Sequence, residues 1–113
     1  MPRRAALLVA LLSLPACGGV LAEGESQFKK GQYPEAKQTF ASIEAQSRSY
    51  GDSRRAEYAL YRGLTLSALG DRAQAGVWLR EAKAIEDTVP RSLEREDALR
   101  LKEAMEANDV VPP

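Results

Sequence analysis

Glycines that recur at a fixed spacing constrain the fold of this chain more than any other sequence feature. Gly24 and Gly63 are as far apart along the chain as Gly31 and Gly70. From Leu21 onward the sequence is rich in Ala, Leu, Glu, Gln, Lys and Arg. No stretch of it alternates apolar and polar residues as a half-buried strand does. The sequence therefore predicts an all-α fold of repeated helical units without a sheet.

Five helices are predicted from the apolar spacing and from the residues that end helices. Gly31 and Gly70 can each close a helix, whereas Pro34 can open one because its missing N–H would be unbonded in a first turn. Asp52 or Ser53 is expected to cap the third helix. Four of the predicted helices cover residues 21–30, 34–47, 72–86 and 91–107, and the third starts after its cap and has its apolar residues between 56 and 69. Residues 108–113 are predicted to form a disordered tail.

The two predicted helix pairs match each other position by position. The pattern Gly31-x-Tyr33-x-x-Ala36-x-x-x-Phe40-x-x-Ile43 aligns with Gly70-x-Arg72-x-x-Ala75-x-x-x-Leu79-x-x-Ala82, with every pair offset by 39. This pattern resembles the tetratricopeptide (TPR) family, whose 34-residue unit is a helix–turn–helix with small residues where the helices cross. The resemblance implies a short TPR-like solenoid over residues 21–107, with two helix pairs and a C-terminal capping helix.

Small residues opposite large ones are expected to hold each helix pair together. Gly63 and Ala75 would allow two antiparallel backbones to approach closely, and Leu79 would fill the space beyond them. The equivalent residues of the first pair should pack in the same way. The residues predicted at these crossings and turns are Gly24, Gly31, Ala36, Phe40, Gly63, Gly70, Ala75 and Leu79.

The first 16 residues have the organisation of an export signal. Arg3 and Arg4 precede an uncharged, mostly apolar run over residues 5–14. Ten residues are too few to span a bilayer, which takes about 20, but they suit the 7–15 residues of a signal's apolar centre. Residues 1–16 are therefore predicted to be a signal peptide, which would form the N-terminal helix before cleavage.

The segment Leu14-Pro15-Ala16-Cys17 resembles the lipobox of bacterial lipoproteins. The resemblance implies cleavage between Ala16 and Cys17, followed by attachment of a diacylglycerol and an N-acyl chain to Cys17. Residues 17–20 would then form a short tether. Gly18, rather than Asp, follows the cysteine, which in this family favours the periplasmic face of the outer membrane. The alternative is that Cys17 only ends an ordinary signal.

The composition argues against catalysis, metal binding and nucleic-acid binding. The chain has no histidine and one cysteine, so it lacks the usual general base and the commonest metal ligands. Without residues 1–16, 97 residues remain, and 14 basic against 16 acidic residues give a net charge of −2. The carboxylates between residues 94 and 106 alternate with Arg95, Arg100 and Lys102, which predicts a solvated face. We expect no enzyme, no metal, no cofactor and no nucleic-acid partner.

The TPR resemblance also implies a peptide-binding groove lined by the first helix of each pair. Such an apolar stripe suits an amphipathic helix or an apolar peptide segment. The alternative is that the stripe is core, covered by the first helix pair or by the fifth helix. The residues that the resemblance places in the groove are Phe28, Lys29, Leu60, Leu64, Ser67 and Ala68.

These features together predict a function in the bacterial envelope. The expected role is that of a membrane-anchored, non-catalytic adaptor that holds another envelope protein or peptide segment. One alternative is a pilotin-like accessory lipoprotein that assists the assembly of an outer-membrane complex. Another is a structural envelope protein that self-associates through the ends of its solenoid.

Overall fold

A computed structural model describes residues 19–113, and this part of the chain consists of helices and short connections. No strand occurs among the described residues, so the all-α prediction is confirmed. The predicted signal peptide, its cleavage flank Ala16, the lipidation residue Cys17 and Gly18 lie outside the described residues. The helices are α1 (Gly19–Lys29), α2 (Tyr33–Ser42), α3 (Glu44–Ser47), α4 (Asp52–Ala68), α5 (Arg72–Thr88) and α6 (Arg95–Ala107).

Helices α1 and α2 form one helical hairpin, and α4 and α5 form a second. The two turns are built alike. Gly31 and Gly70 have positive φ angles of 79° and 84°. The N–H of Gln32 donates to the carbonyl of Gln27 at 2.8 Å, and the N–H of Asp71 donates to that of Leu66 at 2.9 Å. This Schellman arrangement favours glycine, because a side chain is strained at positive φ.

A second glycine lets the two helices of each hairpin approach each other. A β-carbon at Gly24 would lie 2.6 Å from the Phe40 ring, and one at Gly63 would lie 2.8 Å from the Leu79 side chain. Phe40 and Leu79 are both fully buried. The repeat spacing in the sequence therefore corresponds to the same contact in both hairpins.

A third turn of the same kind follows α6. Asp109 follows Gly70 at the spacing that separates Gly31 from Gly70, and it has a positive φ of 53°. The N–H of Val110 donates to the carbonyl of Met105 at 2.8 Å, and that of Asp109 donates to Glu106 at 3.2 Å. The α6 helix thus ends as α1 and α4 do. The sequence pattern did not reveal this equivalence, because Asp109 stands where the first two units have glycine.

The core lies where α4 packs against its neighbours, and Tyr58 stands at its centre. The Tyr58 hydroxyl donates to the Phe40 carbonyl at 2.7 Å. Its ring meets those of Phe40 and Trp78 edge-on, with centroids 6.0 and 5.6 Å apart. The guanidinium of Arg62 lies 4.5 Å from the Trp78 ring centroid and donates to Glu44 at 2.8 Å. These contacts join the two hairpins into one body.

The predicted second helix is interrupted, and the predicted N-cap of the third is wrong. The helical hydrogen bonding breaks at Ile43, whose side chain is buried in the core. The N–H of Ile43 donates to the Phe40 carbonyl at 3.3 Å, and the Tyr58 hydroxyl donates to the same carbonyl, a contact that local helix propensity does not show. The α4 helix already begins at Asp52, and its N-cap is Gly51, which has no side chain to form a cap bond.

The last helix begins four residues later than predicted. Pro90 is followed by Arg91 at a positive φ of 65°, and α6 starts only at Arg95. Leu93 is buried in this connection, and its N–H donates to the Glu86 carboxylate at 2.9 Å. The connection is therefore held by α5 rather than by helical hydrogen bonds of its own.

Candidate functional site

The first helices of the two hairpins lie next to each other, and α6 continues the row. Helix α4 contacts α1 on one side and α6 on the other. We call the surface that these three helices share the inner face. Its exposed or half-buried residues are Glu25, Phe28 and Lys29 from α1, Glu57 and Leu64 from α4, and Asp97 and Arg100 from α6, and they surround the buried Tyr61.

Tyr61 is the residue on which the three helices converge. Its hydroxyl donates to Asp97 at 2.7 Å, and Arg100 donates to the same carboxylate oxygen at 2.8 Å. The Phe28 ring meets the Tyr61 ring edge-on at 5.7 Å, and the Lys29 ammonium lies 5.5 Å from the Tyr61 ring centroid. Burial, together with the hydrogen bond to Asp97 and its negative charge, raises the pKa of Tyr61. The phenol therefore stays protonated and acts as a donor.

Glu25 is a partly buried acid beside this cluster. Burial is the main cause that raises the pKa of Glu25 to about 9, and the hydrogen bond with Glu57 and its negative charge act in the same direction. The charge of Lys29 opposes this shift. The Oε2 atom of Glu25 is buried and has no hydrogen-bond partner among the described residues. At neutral pH, Glu25 is therefore an uncharged carboxyl that can donate one hydrogen bond and accept others.

The structure separates the six residues of the predicted groove. Phe28 and Lys29 lie on the inner face against Tyr61, and Leu64 is half-buried on the same face. Leu60, by contrast, is fully buried in the core, which is the alternative that the sequence left open. The remaining two lie towards the end of α4: the Ser67 hydroxyl accepts from the Asn108 amide at 3.0 Å, and Ala68 is exposed.

Two residues of the inner face come from the segment that was predicted to be solvated. Only 14% of the Asp97 side chain is exposed, because it bonds to Tyr61 and Arg100. Arg100 keeps 41% of its side chain exposed. The alternation of charges around them gave no signal of this role, because the role depends on Tyr61, which lies 36 residues earlier than Asp97.

A second concave surface lies on the other side of α6. We call it the end groove; it has a volume of about 980 Å³ and lies between α5, α6 and the residues after α6. Leu99 at its edge is 54% exposed, and Val111 is 72% exposed. The apolar lining residues are Ala98, Leu99, Leu101, Met105, Val110, Val111 and Pro112.

The charged residues around the end groove fall into two groups. In the first group, Lys83 pairs with Asp87 at 2.9 Å, and Asp109 pairs with Arg72 at 3.2 Å. In the second group, Glu86, Arg95, Lys102 and Glu106 form no ion pair with another residue of the described range, although Glu86 accepts a hydrogen bond from the N–H of Leu93. The groove therefore carries an apolar lining together with both signs of unpaired charge.

Residues 19–113 contain no cluster of three or more acidic or cysteine side chains placed to hold a metal ion. None of their helices combines the length and the apolar character that a membrane span needs. No family model, curated protein or solved structure matches the chain.

Proposed function

We propose that this chain is a lipid-tethered, non-catalytic adaptor of the bacterial envelope that binds a peptide segment of another envelope protein on its inner face. The observation that carries the proposal is the convergence of α1, α4 and α6 on Tyr61. Tyr61 itself is buried, and the accessible groups that it holds together on the shared surface are Phe28, Lys29 and Arg100. Such a surface is suited to recognising an extended or helical segment of a partner.

The chemistry of the inner face supports a peptide ligand. Lys29 is exposed and Arg100 is half-exposed, and both lie beside Tyr61. Leu64 and Ala68 lie about one and two helical turns after Tyr61 on the same stripe of α4. They would contact apolar side chains of the bound peptide segment.

A TPR-like arrangement of the helices is part of the proposal. It is supported by three turns of the same hydrogen-bond pattern at Gly31, Gly70 and Asp109, which are evenly spaced along the chain. The row of α1, α4 and α6 is the arrangement in which such repeats form a shared surface. In this interpretation α6 is the first helix of a third unit and covers the second hairpin.

The tether rests on residues 1–17 of the sequence. Two or three acyl chains on Cys17 would anchor the chain firmly, since each buried methylene contributes about 0.8 kcal/mol. Confinement to a membrane surface raises the effective concentration of the adaptor towards a partner on the same membrane. Replacement of Cys17 by Ser should abolish incorporation of radiolabelled fatty acid, whereas unchanged labelling would exclude Cys17 as the anchor.

The adaptor role is tested by photo-cross-linking of the full chain in bacterial cells. A photoreactive amino acid in place of Lys29 should give one reproducible adduct with another envelope protein. The matched control is the same amino acid in place of Lys37, which is exposed on α2 away from the inner face. No adduct from position 29, or the same adduct from both positions, would contradict binding at the inner face.

A further inference from the structure

We propose that the end groove is an interface for a second copy of this chain, in which the α6 helices of the two copies pack antiparallel around a twofold axis. The interface lies on the opposite side of α6 from Tyr61, Asp97 and Arg100. The dimer would have two inner faces and could therefore bind its partner bivalently. The two surfaces are separate, so failure of this interface would leave the proposed function untouched.

The repeat spacing shows why the end groove suits a helix. Gly24 of α1 and Gly63 of α4 face the second helix of their hairpins, and the residue of α6 at the next repeat position is Lys102. Lys102 is exposed and lines the end groove, which α5 borders through Lys83 and Glu86. A helix that occupies the groove must therefore lie above the lysine stem and place an acidic group near the ammonium.

The groove contains both halves of a self-complementary contact. A twofold interface uses the same patch on both subunits, so the patch must supply a protrusion with a recess and both signs of charge. Leu99 protrudes at the edge of the groove, and Val110 and Val111 form part of its apolar lining. The unpaired Lys102 and Glu106 lie one helical turn apart on α6.

One antiparallel register satisfies these groups together. With the axis near residue 104, Lys102 faces Glu106 of the partner subunit, and the symmetric pair forms on the other side of the axis. In the same register Leu99 lies just beyond the C-terminal end of the partner subunit's α6, at the turn that leads to its Val110 and Val111. The register that pairs the charges therefore also places Leu99 on the apolar tail.

Photo-cross-linking of the full chain tests for the second copy. A photoreactive amino acid in place of Leu99 should give an adduct that mass spectrometry identifies as two copies of this chain. The control position is Val77, which is 47% exposed on α5 but does not line the end groove. An adduct with a different protein, no adduct, or equal yield from position 77 would overturn the proposal.

A charge exchange tests the register. Lys102→Glu and Glu106→Lys, each introduced beside the photoreactive residue at position 99, should reduce the two-copy adduct about tenfold, because each leaves like charges facing each other. Cells that produce both variants should regain the adduct, since one copy then carries two acidic groups and the other two basic ones. Each variant should keep the helical circular dichroism and melting temperature of the parent. If the variants keep the parent's melting temperature but cells that produce both variants do not regain the adduct, the register is wrong. A wild-type yield of the adduct in either single variant would also overturn the register.

Discussion

The α6 helix ends in the same turn as α1 and α4, but its outer side is different. In α1 and α4, the residue seven positions before the turn is glycine, and a second helix packs against it. In α6 the equivalent residue is Lys102, and the side that it occupies forms the end groove. The same repeat position thus lies at a closed crossing, where a second helix packs against it, in α1 and α4. In α6 it lies on an open side, where the end groove is. At this repeat position, glycine accompanies a close crossing of two helices, and lysine accompanies an open side.

The largest expected effect comes from filling a closed crossing. Gly63→Val would place atoms against Leu79, whose backbone nitrogen lies only 3.2 Å from a β-carbon built at position 63. We expect a loss of about 3 kcal/mol in the free energy of unfolding, seen as a fall of roughly 15 °C in melting temperature. Lys102→Val on the open side should stay within about 0.5 kcal/mol of the parent. Equal losses at the two positions would show that α6 is as tightly covered as α4.

Glu25 provides a pH-dependent effect on the inner side of the row. Its pKa is raised in the folded state, so the stability that its protonated form confers is fully present below the unfolded value of 4.5 and is lost as the pH rises towards about 9. Glu25→Gln should therefore stabilise the fold relative to the parent more at pH 8 than at pH 5. We expect the two stability gains to differ by on the order of 1–2 kcal/mol after allowing for solvent screening. Denaturant unfolding at the two pH values measures this difference. The exposed Glu23→Gln serves as the control, and a stability gain for it as large as that of Glu25→Gln would refute the role of burial.

Two substitutions in the turns should change the stability by smaller amounts and in opposite directions. Gly70→Ala places a β-carbon at a φ of 84° and should cost about 1 kcal/mol, because L residues are strained there. Asp109→Gly relieves the same kind of strain and should stabilise the fold by a few tenths of a kcal/mol. The loss of the exposed ion pair with Arg72 reduces this gain. Thermal melts of both variants measure the two signs. A loss of stability in Asp109→Gly would mean that its side chain, rather than the turn geometry, stabilises this end of α6.

The hairpins could be predicted from the sequence because glycine carries their geometry at both the crossings and the turns. The equivalence of α6 could not, since Asp109 and Lys102 replace the two glycines that mark it. The interruption at Ile43 and the late start of α6 at Arg95 also escaped prediction. The first lies where the Tyr58 hydroxyl bonds to the Phe40 carbonyl, 18 residues away in the sequence, and the second lies where Leu93 contacts α5.

The inner face was only partly visible in the sequence for the same reason. Phe28, Lys29 and Leu64, which lie on it, were among the residues that the TPR resemblance placed in a groove. The burial of Asp97 against Tyr61 could not, because local charge patterning carries no information about a neighbour 36 residues away. Leu60 shows the reverse: its helical position suited a groove, but α4 is packed from so many sides that it lies in the core.

The most direct test of the account is to compare the partners trapped from the two sides of the helix row in the same cells. A photoreactive residue at position 29 should capture another envelope protein, and one at position 99 should capture a second copy of this chain. Distinct products at these two positions are the result that the account predicts. A single common product from both positions would contradict the division of the molecule into an inner face and an end groove.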